Sequence, residues 1–203
     1  LTTTLHIQLS TGHVIQVRTT KAANMDNYHR FAIKYELKPM NFSGSLQIYS
    51  KIDGNVINGN VDRYKDFNQN HLDIMGMASN GNSISLIGET KTSHVHFAIS
   101  SNLTSKQFDT TKLIHSSTEQ KSVNQTLSIN VEPGKLYEFE KNVTLFTSQD
   151  EKQSVDQEAA AELEKSSFEE TAADSAKFYK ELWHKADIQI DNDITSQKLT
   201  RVN

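Results

Sequence analysis

The chain contains no cysteine. A disulfide framework, a thiolate metal site and a cysteine nucleophile are therefore all excluded. That suits a reducing cytoplasm, where structural disulfides are rare. No run of about 18 apolar residues occurs, so no membrane-spanning helix is expected. No basic stripe interleaved with aromatics is present, which leaves a nucleic-acid partner without its electrostatic footprint. A Gly-rich phosphate loop, a G-x-S-x-G elbow and an H-E-x-x-H pair are all lacking. The chain also opens on Leu1, without an initiator Met or a signal peptide.

What is present suffices for a folded body. The 203 residues can form one large domain, or one domain with an appendage, and can bury a real core. Apolar content is only 35%, but nine Phe, six Tyr and one Trp recur through the chain and favour a globular state over disorder. Net charge is −4 and unevenly spread: residues 1–149 hold 14 Lys and Arg against 12 Asp and Glu, and residues 150–203 hold 7 against 13. The acidity belongs to the C-terminal end.

The texture changes near residue 150. Before it, apolar residues alternate as in half-buried strands: Leu5, Ile7 and Leu9, then Val14–Val17, then Phe31, Ile33, Tyr35 and Leu37 up to Pro39. Further strands are predicted at 45–49, 72–78, 83–87, 94–99, 123–129 and 136–147. Thr11-Gly12-His13, Asp53-Gly54-Asn55, Asn80-Gly81-Asn82 and Pro133-Gly134 supply turns, Gly54 being expected to use its tolerance of positive φ. Ten to twelve short strands with turns between them predict an antiparallel sandwich or barrel. No fixed-period repeat is found.

After residue 150 the pattern is helical. Ser154-Val155-Asp156-Gln157 and Ser167-Phe168-Glu169-Glu170 both fit capping boxes, predicting two helices with a break at Ser166-Ser167. The second carries Phe168, Ala172, Ala176, Tyr179 and Trp183 on one stripe, wide enough to bury against a neighbour. Ile188 and Ile190 then alternate, and 196–202 reads as the start of another helix. With nothing built on that helical end, the chain reads as a β-domain and its tether, part of something larger.

Candidate sites are few. His94-Val95-His96 would put two imidazoles on one strand face, a spacing some metal sites use. Solvated strand faces carry the same spacing, and no third ligand sits at a telling distance. Asp62, Asp66 and Asp73 could supply the acid and base that glycoside cleavage requires. Beside Arg63 and Lys65 they equally suit weak surface pairs. Asp187, Asp191 and Asp193 resemble half of a calcium loop without its glycine and closing glutamate. Tyr28, Tyr49, Tyr64, Phe67 and Phe108 could form an aromatic platform for glycans, or core and rim packing. The sequons at Asn41, Asn102, Asn124 and Asn142 read as chance matches in a chain rich in Asn, Ser and Thr.

Two stretches carry more. Pro39–Val56, with Ser50 and two residues before Asp53-Gly54-Asn55, resembles the N-terminal domain of glycoside hydrolase family 65, the maltose, kojibiose and trehalose phosphorylases and related hydrolases. Leu182-Trp183-His184-Lys185-Ala186-Asp187-Ile188-Gln189-Ile190, then Asp193, Gln197 and Arg201-Val202-Asn203, is similar to that family's passage from linker helices into its catalytic domain. The resemblance implies a mainly β, antiparallel β-supersandwich (galactose-mutarotase-like) with C-terminal linker helices. Residues 1–150 would be the sandwich, 151–186 the linker helices and 187–203 the start of an (α/α)6 catalytic barrel. The family's sandwich usually has further strands ahead of the position of Leu1.

It further implies a cytoplasmic parent enzyme, a homodimer, that cleaves an α-linked disaccharide, with inorganic phosphate as co-substrate if a phosphorylase and no organic cofactor. The family's general-acid glutamate and phosphate-binding residues lie in the barrel. No catalytic, cofactor-binding or metal-binding residue is therefore expected among these 203. A stand-alone carbohydrate-binding module is the rival reading.

Overall fold

The computed structural model describes residues 1–57, 70–150 and 154–202. The described strands are β1 (Thr2–Gln8), β2 (Val14–Ala23), β3 (Arg30–Pro39), β4 (Gly44–Asp53), β5 (Leu72–Asn80), β6 (Ser83–Thr90), β7 (His96–Thr104), β8 (Ile114–Glu119), β9 (Ser122–Val131) and β10 (Tyr137–Thr147). They make two antiparallel sheets, one ordered β1-β2-β3-β10-β7-β6-β5 and the other β4-β9-β8. The helices are α1 (Thr110–Leu113), α2 (Val155–Glu164), α3 (Phe168–Ala186) and α4 (Ile194–Val202). The predicted all-antiparallel β architecture with a helical end is the observed one.

Alternation builds the layers. On β7, Phe97, Ile99 and Leu103 face the small sheet, while Ala98 points the other way onto α2. On β10, Tyr137, Phe139 and Leu145 join the core between the sheets, and Phe146 packs with Ala159 of α2. Helix α2 and the start of α3 thus cover the face of the large sheet opposite the small one. Ala159 and Leu163 are buried there, and a fully buried leucine side chain contributes roughly 2 kcal/mol.

Several boundaries differ from the sequence pattern. Strand β2 runs on through Arg18–Ala23, paired with β3 as far as Ala23↔Phe31, although this stretch has no apolar alternation. Its β-branched threonines and ladder bonds sustain it. Strand β8 was not expected: Ile114-His-Ser-Ser-Thr-Glu is an exposed edge strand, so burial never imposed a pattern on it. Strand β7 begins at His96, because His94 sits in the preceding turn at φ +52°. Pro39 closes β3 as predicted, opposite Ile15.

The break between α2 and α3 falls at the predicted serines, but the two caps diverge. Ser167 accepts the amide of Glu170 at 3.2 Å. The Ser154 hydroxyl instead donates to the Asp156 carboxylate and caps no amide, so the expected box with Gln157 does not form.

Gly54 requires a different explanation from the one expected. It is not among the positive-φ glycines, which are Gly12, Gly81 and Gly134. Its role is space: a Cβ there would stand 2.6 Å from Ile74 Cδ1 and 2.6 Å from the Lys121 carbonyl oxygen. The flanking residues complete the joint, with Asp53 Oδ1 accepting the Asn55 amide at 3.0 Å and Gly54 N–H donating to the Lys121 carbonyl at 2.7 Å. The Asp-Gly-Asn motif therefore welds the end of β4 to the β8–β9 hairpin.

Candidate functional site

The most developed polar constellation lies where α2 and α3 dock on the large sheet. Arg30 opens β3 and is buried beneath the helices. Its Nε reaches Glu162 Oε1 at 2.5 Å and its Nη1 reaches Glu170 Oε1 at 3.1 Å. Glu170, expected to complete a capping box, thus spends its carboxylate on Arg30. Asn27 Nδ2 donates to Glu162 at 2.6 Å, and Asn24 Nδ2 donates to Asp174 at 2.8 Å. Thr144 Oγ1 donates to the Ala159 carbonyl at 2.6 Å. Burial alone would raise the Glu162 pKa, but the hydrogen bond and charge of Arg30 outweigh it and hold the carboxyl below its ordinary value. Burial likewise acts to lower the Arg30 pKa and is outweighed by Glu162 and Glu170, which raise it. This cluster fastens helices to sheet.

Beyond that anchor α3 leaves the sheet. Thr171 is its one buried residue, Phe168 and Ala172 are half-buried, and the remainder of the predicted stripe (Ala176, Tyr179 and Trp183) is exposed. Phe178, Tyr179, Leu182 and Trp183 each expose 37–44% of their surface. Below them, residues 187–202 fold back on themselves. Asp187 pairs with Arg201 through both carboxylate oxygens, at 2.9 and 2.6 Å, and Gln197 Oε1 accepts the Ile190 amide at 2.6 Å. Ile188 and Ile190 consequently lie in a loop, not in a strand.

The sequence candidates come apart in space. His94 and His96 both address Glu89, His94 by a short Nδ1–carboxylate contact and His96 Nε2 at 3.6 Å, and no group of three His, Asp or Glu among the described residues is arranged to hold a metal. Asp73 pairs with Lys91 at 3.7 Å. Asp62, Arg63, Tyr64, Lys65, Asp66 and Phe67 lie outside the described residues. Asp193 caps α4, accepting the amides of Thr195 and Ser196 at 3.1 and 3.0 Å, and Asp187 is committed to Arg201, which leaves no calcium loop. The described aromatics share no platform: Tyr28 lies tilted against His29, Phe108 packs on Phe139 at 5.8 Å, and Tyr49 stands exposed on β4. Asn124 and Asn142 are buried in the sheets, and the Asn41 side-chain amide ties Val14 to Gly12.

One feature was missed from sequence. Between the sheets, under the edge of β4, lies a cleft of about 290 Å³ into which Lys141 projects. Lys141 Nζ donates to the Lys51 carbonyl at 2.8 Å. Its signal was a lysine at an interior parity position of β10, between Phe139 and Val143.

The described residues form an antiparallel sandwich with an anchored helical tail and an exposed apolar end on α3. The chain belongs to glycosyl hydrolase family 65, whose N-terminal domain matches residues 1–182. It is 25% identical over 198 residues to the trehalose 6-phosphate phosphorylase of Lactococcus lactis subsp. lactis (strain IL1403), covering 97% of this chain and 25% of that protein. It is 26% identical over 203 residues to the alpha,alpha-trehalose phosphorylase of Thermoanaerobacter brockii, covering 95% of this chain and 26% of that protein. A solved structure from the human microbiome, provisionally described as a kojibiose phosphorylase, shares the fold with a TM-score of 0.80 at 18% identity, over 97% of this chain and 25% of that one. The chain thus spans about a quarter of the length of the relatives it matches. No helix among the described residues is long and apolar enough to cross a membrane.

Proposed function

We propose that these residues are the non-catalytic N-terminal part of an inverting α-glucoside phosphorylase or hydrolase that acts on an α-linked disaccharide in the cytoplasm. Residues 1–150 form its β-sandwich, 151–186 the linker helices, and 187–203 the entry to a catalytic (α/α)6 barrel. The observation that carries this reading is the exposed apolar end of α3, Phe178 to Trp183, in a chain matched to the family's N-terminal domain. The barrel supplies the cover for that end, and the parent assembles as a homodimer.

In the parent, one carboxylic acid of the barrel protonates the leaving oxygen while phosphate, or water in a hydrolase, attacks the opposite face of the sugar. No covalent intermediate or organic cofactor is needed. The sandwich contributes architecture: it packs on the barrel and shapes the pocket edge.

The test is direct. The 203-residue chain, incubated with trehalose, kojibiose or maltose and inorganic phosphate, should release no glucose phosphate. Phosphate-dependent cleavage by this chain alone would overturn the assignment.

A further inference from the structure

The core between the sheets is interrupted by a polar layer. Along β4 the interior positions run Ile48, Ser50, Ile52, and along β9 they run Val123, Gln125, Leu127. Along β7 they run Ile99, Ser101, Leu103, and on β10 Lys141 falls between Phe139 and Leu145. Strands β4, β9 and β7 thus each pass from one apolar cluster to the other through a polar residue, while on β10 the partner of Ser101 is Val143 and Lys141 lies one interior position away. Ser50 and Gln125 are direct cross-strand partners. Lys141 is paired with Leu103, two residues from Ser101.

This layer is unsatisfied. Ser50 is 7% exposed, and Ser101 and Gln125 are fully buried. The Ser50 and Ser101 hydroxyls and both polar atoms of Gln125 have no hydrogen-bond partner. The Lys141 ammonium makes one bond, to a neutral carbonyl, and no carboxylate among the described residues faces it. Burial pushes its pKa below the usual lysine value. Buried donors and a half-buried cation that faces no carboxylate both carry a desolvation penalty that a bound acceptor reduces.

The cleft says which acceptor. Ser50 and Lys141 line it together with Ile33, Tyr35, Ile48 and Phe139. Its volume of about 290 Å³ admits a small molecule. A neutral sugar would leave the ammonium without a counter-charge, and a bare inorganic anion would waste the apolar walls.

We propose that this cleft binds a small organic carboxylate, its anionic head on Lys141 Nζ and the Ser50 hydroxyl and its apolar body against Ile33, Tyr35, Ile48 and Phe139. The site lies within the sandwich and does not depend on any catalytic barrel. A ligand that binds only the folded sandwich stabilises it.

The 203-residue chain would be titrated with butyrate, inorganic phosphate and glucose at matched ionic strength, following amide shifts by heteronuclear NMR. Butyrate should produce saturable shifts centred on Ser50, Lys51 and Lys141. Lys141→Met should weaken binding at least tenfold and Ser50→Ala several-fold, both with native spectra elsewhere. Should Lys141→Met not fold, Ser50→Ala alone decides. The proposal is overturned by an absence of saturable shifts, by unchanged affinity in the variants, or by phosphate or glucose binding as tightly as butyrate.

Discussion

Asp187 holds Arg201 with two hydrogen bonds across fourteen residues, Nε at 2.9 Å and Nη2 at 2.6 Å. Around this clasp, Gln197 takes the Ile190 amide and Asp193 caps α4. The residues that carried the sequence resemblance at this end, Asp187, Gln197 and Arg201, are therefore the ones that fold the segment onto itself. A motif with no chemistry of its own acquires a physical reason.

Asp187→Asn should loosen that clasp without harming the sandwich. Amide exchange in Ile194–Val202 should speed several-fold while protection in β3 and β10 stays unchanged. The hydrogen bond and charge of Arg201 lower the Asp187 pKa. The contribution is therefore fully present above the ordinary carboxylate range and is lost as pH falls through the depressed value. Hydrogen exchange measured at neutral and strongly acidic pH checks both points.

Arg30→Ala should be far more damaging, because Glu162 would stay partly buried without its cation. Breaking a buried pair by removing one partner costs about 3 kcal/mol. The double variant Arg30→Met/Glu162→Leu should lose much less, since no orphaned charge remains. Because the folded Glu162 pKa is depressed, its stabilisation persists above the unfolded carboxylate value and fades as acid titrates the folded group. Denaturant unfolding of the three proteins across pH measures this directly.

Gly54→Ala should destabilise by roughly 1–3 kcal/mol through overpacking, since both Ile74 and a backbone carbonyl stand where the methyl must go. Gly88→Ala should behave similarly, with Phe97 Cζ at 2.6 Å and the Asp73 carbonyl at 2.7 Å from the new atom. Gly44→Ala, which meets nothing within 4 Å, is the control. Thermal melts should separate the first two from the third.

Leu182→Ser and Trp183→Ser should shift the stability of this chain by no more than about 0.5 kcal/mol, as expected of exposed positions. In a protein that carries the proposed barrel after these residues, the same changes should lower the melting temperature, because there the barrel covers them. Equal, negligible effects in both proteins would remove the docking role of this helix end.

Sequence by itself determined the strands that bury one face, because burial on one side forces period-two alternation, as in Phe31–Leu37. It determined the helix break at Ser166-Ser167 as well, because capping is local chemistry. It did not reveal β8 or the outer half of β2, where edge exposure or ladder bonding relaxes the pattern. It also misread Gly54, whose need is for space against Ile74, a residue twenty positions away. The pairing of Arg30 with Glu162 and Glu170, and the polar layer of Ser50, Ser101, Gln125 and Lys141, were decided by tertiary structure alone. Each of those residues looks like an ordinary solvated side chain in its own strand or helix, and only the stacking of two sheets and two helices takes water away from it.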